Sequence, residues 1–173
     1  MATDGVDSSA LSAEANATPL AAPIVTLSGT ASVTEGDSGT TNATITATLN
    51  RTASTNATII LTASGTATGS GTDYTLSSST ITITAGNTTG TATVGVVGET
   101  TAEDNETVIL DITGVSGGDS ATESGTPQQV TVTIIDDDLA APVLDNATPA
   151  EQQNTVYWQA YSNASSYTLS LIH

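Results

Sequence analysis

Three consecutive aspartates, Asp136, Asp137 and Asp138, follow directly on the alternating apolar segment Val130-Thr131-Val132-Thr133-Ile134-Ile135. Carboxylates held about 5 Å apart repel by on the order of 1 kcal/mol per pair in water, and by more beside a low-dielectric wall. The chain has one Lys or Arg in total, and its one His is the last residue, so side-chain cations cannot answer that charge. A metal ion can. With carboxylate oxygens on offer and neither a thiolate nor a usable imidazole, the chemistry points to Ca²⁺, which takes about 6 to 8 oxygen ligands in loose geometry, and away from Zn²⁺. The competing reading of the triplet is a solvated strand end that leads into a linker.

Further acids fall in three other stretches. Glu35 closes an early strand, Asp73 sits in the Gly-rich loop Gly69-Ser70-Gly71-Thr72-Asp73-Tyr74-Thr75, and Glu99, Glu103, Asp104 and Glu106 crowd the connection after the strand Val94 to Val97. Together with Asp136 to Asp138 these make nine of the chain's 18 acids. In a β-sandwich, strands that run the same way end at the same pole, so acids far apart in sequence can converge there. Asp4, Asp7, Glu14, Asp111, Asp119, Glu123, Asp145 and Glu151 read as solvated surface.

The elements that would position these acids have a period of two. Ile24 to Ser28 and Ser32 to Glu35 form a first strand broken at Gly29 and followed by the turn Glu35-Gly36-Asp37-Ser38-Gly39. Ala43, Ile45, Ala47 and Leu49 alternate with Thr and Asn, as do Ala57, Ile59, Leu61 and Ala63. Such segments are half-buried antiparallel strands. Ile81 and Ile83, the turn Ala85-Gly86-Asn87 and then Ala92, Val94 and Val96 predict a hairpin. Val108, Leu110 and Ile112 pair by pattern with Val130, Val132 and Ile134. About seven strands with no helical period predict an all-β fold, an immunoglobulin-like antiparallel β-sandwich.

Composition narrows the function classes. The 173 residues carry a formal charge of -17, yet 11% are charged against about 25% in ordinary domains. The acidity therefore comes from missing bases, which argues against nucleic acid and anionic membrane surfaces as partners. Phe is absent and aromatics make up 3%, leaving a core of Ala, Val, Ile and Leu with less apolar area per side chain. Cys is absent, so a disulfide framework is excluded. No run of about 18 apolar residues spans a bilayer, and the N-terminus lacks the pattern of an export signal. Catalysis lacks an assembled set of roles, since no Lys, Cys or internal His stands ready to activate a hydroxyl; the chain reads as a non-enzyme.

Four separated motifs, in order, are Glu35-Gly36, the segment Gly65 to Thr75, the Glu103-Asp104-Asn105-Glu106 step before an alternating strand, and the closing Ile134-Ile135-Asp136-Asp137-Asp138. Together they resemble the Calx-beta domain, over about residues 24 to 138. The resemblance implies a seven-stranded immunoglobulin-like sandwich that binds Ca²⁺ at one pole, with Glu35, Asp73, Glu103, Asp104, Glu106, Asp136, Asp137 and Asp138 as ligands. Glu99 stands where the family often has Asp, and its longer side chain either reaches the ion differently or misses it.

Residues 1 to 22 read as a flexible lead-in, 23 to 138 as the sandwich and 139 to 142 as a linker. Thr155-Val156-Tyr157-Trp158-Gln159-Ala160 with Asn163 to Leu169 resembles the opening strands of a fibronectin type III domain. Residues 143 to 173 would then be a partial second sandwich, continued in a longer protein or completed by a neighbour. Asn16, Asn42, Asn50, Asn56, Asn87, Asn105, Asn146 and Asn163 all stand in Asn-X-Ser/Thr, eight of nine asparagines. The excess suggests N-glycosylation of an exported protein, with Asn105 set apart because it lies inside the acidic loop. The function expected is a calcium-binding structural module of an extracellular adhesin or cell-surface or matrix protein, with neighbouring sandwiches or identical subunits as partners. The alternative is a subunit of a surface filament or layer built by β-strand addition between neighbours.

Overall fold

A computed structural model describes residues 20–125 and 128–140. Ten strands run through them in order: β1 (Ile24–Gly29), β2 (Ser32–Thr34), β3 (Gly39–Leu49), β4 (Ala57–Gly65), β5 (Tyr74–Leu76), β6 (Thr80–Ile83), β7 (Thr89–Gly98), β8 (Glu106–Gly117), β9 (Thr122–Glu123) and β10 (Gln129–Ile135). They form two five-stranded sheets, ordered β5-β7-β3-β1-β9 and β2-β10-β8-β4-β6. Seven of these strands are those expected; the three extra are short, namely β2 as the second half of the broken first strand, β5 and β9. The predicted lead-in up to residue 19, the linker beyond residue 140 and the fibronectin-like segment lie outside the described residues.

Alternation builds the core. Ala43, Ile45, Ala47 and Leu49 of β3 face Ile59 and Leu61 of β4, Ile81 and Ile83 of β6, Val94 and Val96 of β7 and Val108, Leu110 and Ile112 of β8 in one cluster of buried residues. Each fully buried Ile, Leu or Val contributes roughly 1.5–3 kcal/mol relative to exposure. Tyr74 is the one aromatic side chain in that cluster.

Gly29 marks the point where the first strand changes sheets. β1 pairs antiparallel with β3, whereas β2 pairs parallel with β10. A Cβ at Gly29 would stand 2.8 Å from Ile45 Cδ1 and 3.0 Å from Val130 Cγ1, so the crossing needs a residue without one. The β2–β10 pairing and the short β1–β9 pairing are parallel, which departs from the wholly antiparallel expectation.

The predicted hairpin between Ile81–Ile83 and Ala92–Val96 does not form. β6 pairs with β4, and β7 pairs with β3 and β5, so the Ala85-Gly86-Asn87 turn carries the chain from one sheet to the other. Alternation reports which face of a strand is buried, and both sheets bury the same kind of face. The crossing is held by the Ala53 and Asn56 region, where Ala85 N–H donates to Asn56 Oδ1 at 2.9 Å and Gly86 N–H to Ala53 O at 2.9 Å. The other expected pairing is present, with Val130 opposite Leu110 and Val132 opposite Val108.

Strand direction sets up one pole. β2, β7 and β10 end there, at Thr34, Gly98 and Ile135. β3, β5 and β8 begin there, at Gly39, Tyr74 and Glu106. The ladders place Gly39 opposite Gly98, Tyr74 opposite Val96 and Glu106 opposite Ile134.

Candidate metal centre

Those six strand ends carry the acids. Glu35 follows β2, Asp73 precedes β5, Glu99 follows β7, Glu106 opens β8 and Asp136 follows β10. Two groups result. Glu35, Glu99, Asp136 and Asp138 each bring one carboxylate oxygen within 4.8 Å of the others, and Asp73, Glu103 and Glu106 do the same.

Local hydrogen bonds aim these side chains. Glu35 N–H donates to Ile135 O at 3.2 Å, continuing the parallel β2–β10 ladder into the acidic segment. Glu99 Oε2 accepts the N–H groups of Thr100 and Thr101 at 2.9 and 2.6 Å. That turns the longer side chain back on its own backbone and resolves the question of its reach: Glu99 stands inside the first group. Asp73 Oδ2 accepts Thr68 N–H at 2.5 Å, and Asp73 O accepts Val97 N–H at 2.8 Å, tying the Gly-rich loop to β7. Asn105 Oδ1 accepts Asp136 N–H at 3.1 Å.

Two of the nine predicted ligands stand apart from both groups. Asp137 is exposed, and its Oδ1 accepts Gly36 N–H at 3.0 Å, so it caps the Glu35–Gly39 turn. Asp104 is exposed on the rim of a hollow of about 590 Å³, lined also by Thr66, Thr68, Thr72, Asp73, Glu103 and Glu106. One residue was missed: Asp37, whose charge helps push the Asp138 carboxyl upward. Its signal was its place in the turn that Glu35 opens.

The electrostatics are those of crowded like charges. Glu35 is 5% exposed; burial, a hydrogen bond with Asp136 and the fields of Asp136, Glu99 and Asp138 push its carboxyl up from 4.5 to about 7. Glu106 is pushed to about 7 by burial and by a hydrogen bond with Asp73 and the fields of Asp73 and Glu103. Each group therefore contains a carboxyl held well above its ordinary value, Glu35 beside Asp136 and Glu106 beside Asp73. Burial and neighbouring carboxylates also raise Glu103 and Asp138. Glu99 is lowered, chiefly by hydrogen bonding from Thr101.

The crowding leaves Glu99 Oε1, Asp136 Oδ1 and Asp138 Oδ2 buried without a hydrogen-bond partner. Leaving a buried acceptor unpaired costs about 1–3 kcal/mol, more for a charged group. Orphaned carboxylate oxygens in a crowd of like charges, with no sulfur or imidazole among them, fit a hard divalent cation. Such an ion would be held by Glu35, Glu99, Asp136 and Asp138 in one group and by Asp73, Glu103 and Glu106 in the other.

Two acids read as solvated, Asp119 and Glu123, hold hydrogen bonds instead. Asp119 accepts from Ser54 N–H and Oγ at 2.8 and 2.7 Å and from Thr55 Oγ1 at 3.3 Å, which keeps its carboxyl below its ordinary value. Glu123 Oε1 accepts Gln128 N–H at 2.5 Å. Asp111 is half-buried, with Oδ1 unpaired.

The Asn-X-Ser/Thr asparagines also have local work. Asn50 Oδ1 accepts Ile24 N–H and Asn56 Oδ1 accepts Ala85 N–H, both at 2.9 Å. Asn87 Nδ2, the atom a glycan would occupy, donates to Thr84 Oγ1 at 2.7 Å. Asn42 is exposed on β3. Asn16, Asn146 and Asn163 lie outside the described residues.

Comparison with known proteins places this geometry. The family model of the Calx-beta domain matches residues 21–138. Among solved structures, CBD12 from CALX1.2 matches at 16% identity and a TM-score of 0.55, covering 72% of this chain and 48% of that one. The apo form of the Calx CBD1 domain matches at 20% identity and a TM-score of 0.54, covering 68% and 100%. The calcium binding domain CBD12 of CALX1.1 matches at 22% identity and a TM-score of 0.52, covering 64% and 42%. This chain thus spans about half the length of the two CBD12 structures it matches. No curated protein sequence matches it.

Proposed function

The chain belongs to the Calx-beta domain family, matched over residues 21–138, whose domains are calcium-binding modules, and on that premise we propose that its acidic pole binds Ca²⁺ as part of a structural module in an extracellular adhesin or cell-surface or matrix protein. The observation that carries the reading is the set of buried, unpaired oxygens on Glu99, Asp136 and Asp138, all in the first of two groups of converging carboxylates. Bound calcium would supply the positive charge that the chain's own side chains lack. Glu35 and Glu106, whose carboxyls are held up near 7, would then give up their protons, since ligation needs the carboxylate form.

A mechanical consequence follows from where the ligands sit. Asp136 and Asp138 lie just past β10, so fixing them fixes the direction in which the chain leaves the domain. Glu35 and Glu99 belong to different sheets by way of β2 and β7, so an ion shared with Asp136 would cross-link the sandwich at its end. In a string of modules this stiffens the junctions into a rod. The role is binding rather than catalysis, because the carboxylates converge on one another and not on a nucleophile.

Strand addition between subunits has less support. The edge of β1 beyond Val25 would be a natural place for an added strand, since β9 covers Ile24 and Val25. There, however, Leu27 N–H already donates to Gln128 Oε1 at 3.2 Å.

The test is calorimetric titration of the full chain with CaCl₂, together with antibody labelling of intact cells. Saturable uptake that Asp136→Ala abolishes, with label on the cell surface, is the expected result. Absence of uptake overturns the metal site, and label confined to permeabilised cells overturns the extracellular placement.

A further inference from the structure

We infer that Asn105 is a positioning residue that couples the two carboxylate groups, holding the Asp136 backbone to the loop that carries Glu103 and Glu106. This inference rests on the calcium-binding reading above and concerns how the two groups act on each other. The β8–β10 ladder runs from Gln129 opposite Asp111 to Ile134 opposite Glu106. Two further pairs would set Asp136 against Asp104. The chain leaves strand geometry before that point, because β8 begins at Glu106 and Glu103 turns to join Asp73 and Glu106. Asp136 N–H therefore has no backbone partner from β8. Asn105 Oδ1 takes it instead, at 3.1 Å, so a side chain replaces one rung of the ladder while the backbone around it is freed to aim the acids.

The residue type suits the position. An amide accepts a hydrogen bond without adding negative charge, and this pole already holds nine carboxylates at positions 35 to 138 apart from Asp37. The partners of the bond belong to different groups. Asp136 stands with Glu35, Glu99 and Asp138, whereas Asn105 lies between Glu103 and Glu106 of the other. Ordering the 103–106 loop around one ion thus orders Asp136 for the other, and the reverse holds by linkage.

Calcium titration of the full chain by calorimetry tests this, joined with amide hydrogen exchange at Asp136 in calcium-free protein. In the native chain, filling one group raises the affinity of the other by about fivefold or more, the lower end of ordinary coupling. Asn105→Ala reduces that factor toward one and speeds exchange at Asp136. Asn105→Asp keeps an acceptor oxygen in place, and restores both the coupling and the slow exchange. Asn50→Ala serves as control, because it removes the same kind of bond, to Ile24 N–H, beyond the far end of β3. It leaves coupling unchanged. Unchanged coupling in Asn105→Ala overturns the inference while leaving the metal site standing, as does equal loss of coupling in Asn50→Ala. A native chain that takes up no calcium overturns both.

Discussion

Raising the pH from 5 to 8 in the absence of calcium should destabilise the fold, against the usual direction for a protein whose carboxylates are paired with bases. Glu35 moves from 4.5 to about 7 on folding because it is buried, is hydrogen-bonded to Asp136 and faces Asp136, Glu99 and Asp138. Between those two values the folded chain holds a proton that the unfolded chain releases, so stability falls as pH rises. The contribution is fully present below 4.5 and is lost as pH passes about 7. A displacement of that size corresponds to about 3 kcal/mol. Glu106 acts in the same direction and over the same window, by less because it is less deeply buried. Urea unfolding in EDTA at pH 5, 6, 7 and 8 reads this as a fall of roughly 1 to 3 M in midpoint, given a slope of about 1–3 kcal/mol per M. Glu35→Gln, which cannot ionise, should remove most of the dependence. A midpoint that stays level or rises from pH 5 to 8 would refute the reasoning, because the acids would then be solvated rather than crowded.

Three further outcomes follow from the same geometry. Calcium uptake at pH 6.5 should release protons from Glu35 and Glu106, and release should fade by pH 8; calorimetry in buffers of different ionisation enthalpy measures it. Gly65→Ala should cost on the order of 3 kcal/mol in urea unfolding, since Gly65 has φ +119° and an added Cβ would meet Thr107 O at 2.1 Å. Asp119→Ala should lower the thermal midpoint at pH 7 by removing the acceptor for Ser54 and Thr55. Because folding lowers the Asp119 carboxyl, that difference should shrink as pH falls below 3.8 through its folded value.

What was legible in the sequence was whatever depends on one strand at a time. Period two marks the inward faces of β3, β4, β7, β8 and β10, and Gly29 marks the break in the first strand. Sheet membership was not legible, because Ile81 and Val94 bury the same kind of face in opposite sheets. Convergence of the acids followed from strand ends sharing a pole. Their division into two groups did not, since it depends on Glu99 folding back onto Thr100 and Thr101 and on Asp137 turning to Gly36. Asp119 looked solvated because its partners, Ser54 and Thr55, lie more than 60 residues away. Three of the Asn-X-Ser/Thr asparagines have roles no motif reveals: Asn50, Asn56 and Asn105 each use Oδ1 to accept a distant backbone N–H beside a strand's start or end.

The most direct test of the calcium-binding pole is thermal unfolding of the full chain in EDTA and in millimolar Ca²⁺ at pH 7.5, with Asp136→Ala alongside. Calcium at about 100 times its dissociation constant stabilises by about 2.7 kcal/mol, a rise on the order of 10 °C for a domain of this size. The predicted result is that rise in the native chain and its loss in Asp136→Ala. Identical melting in EDTA and in calcium would contradict the account and leave the pole as a crowded but metal-free end of the sandwich.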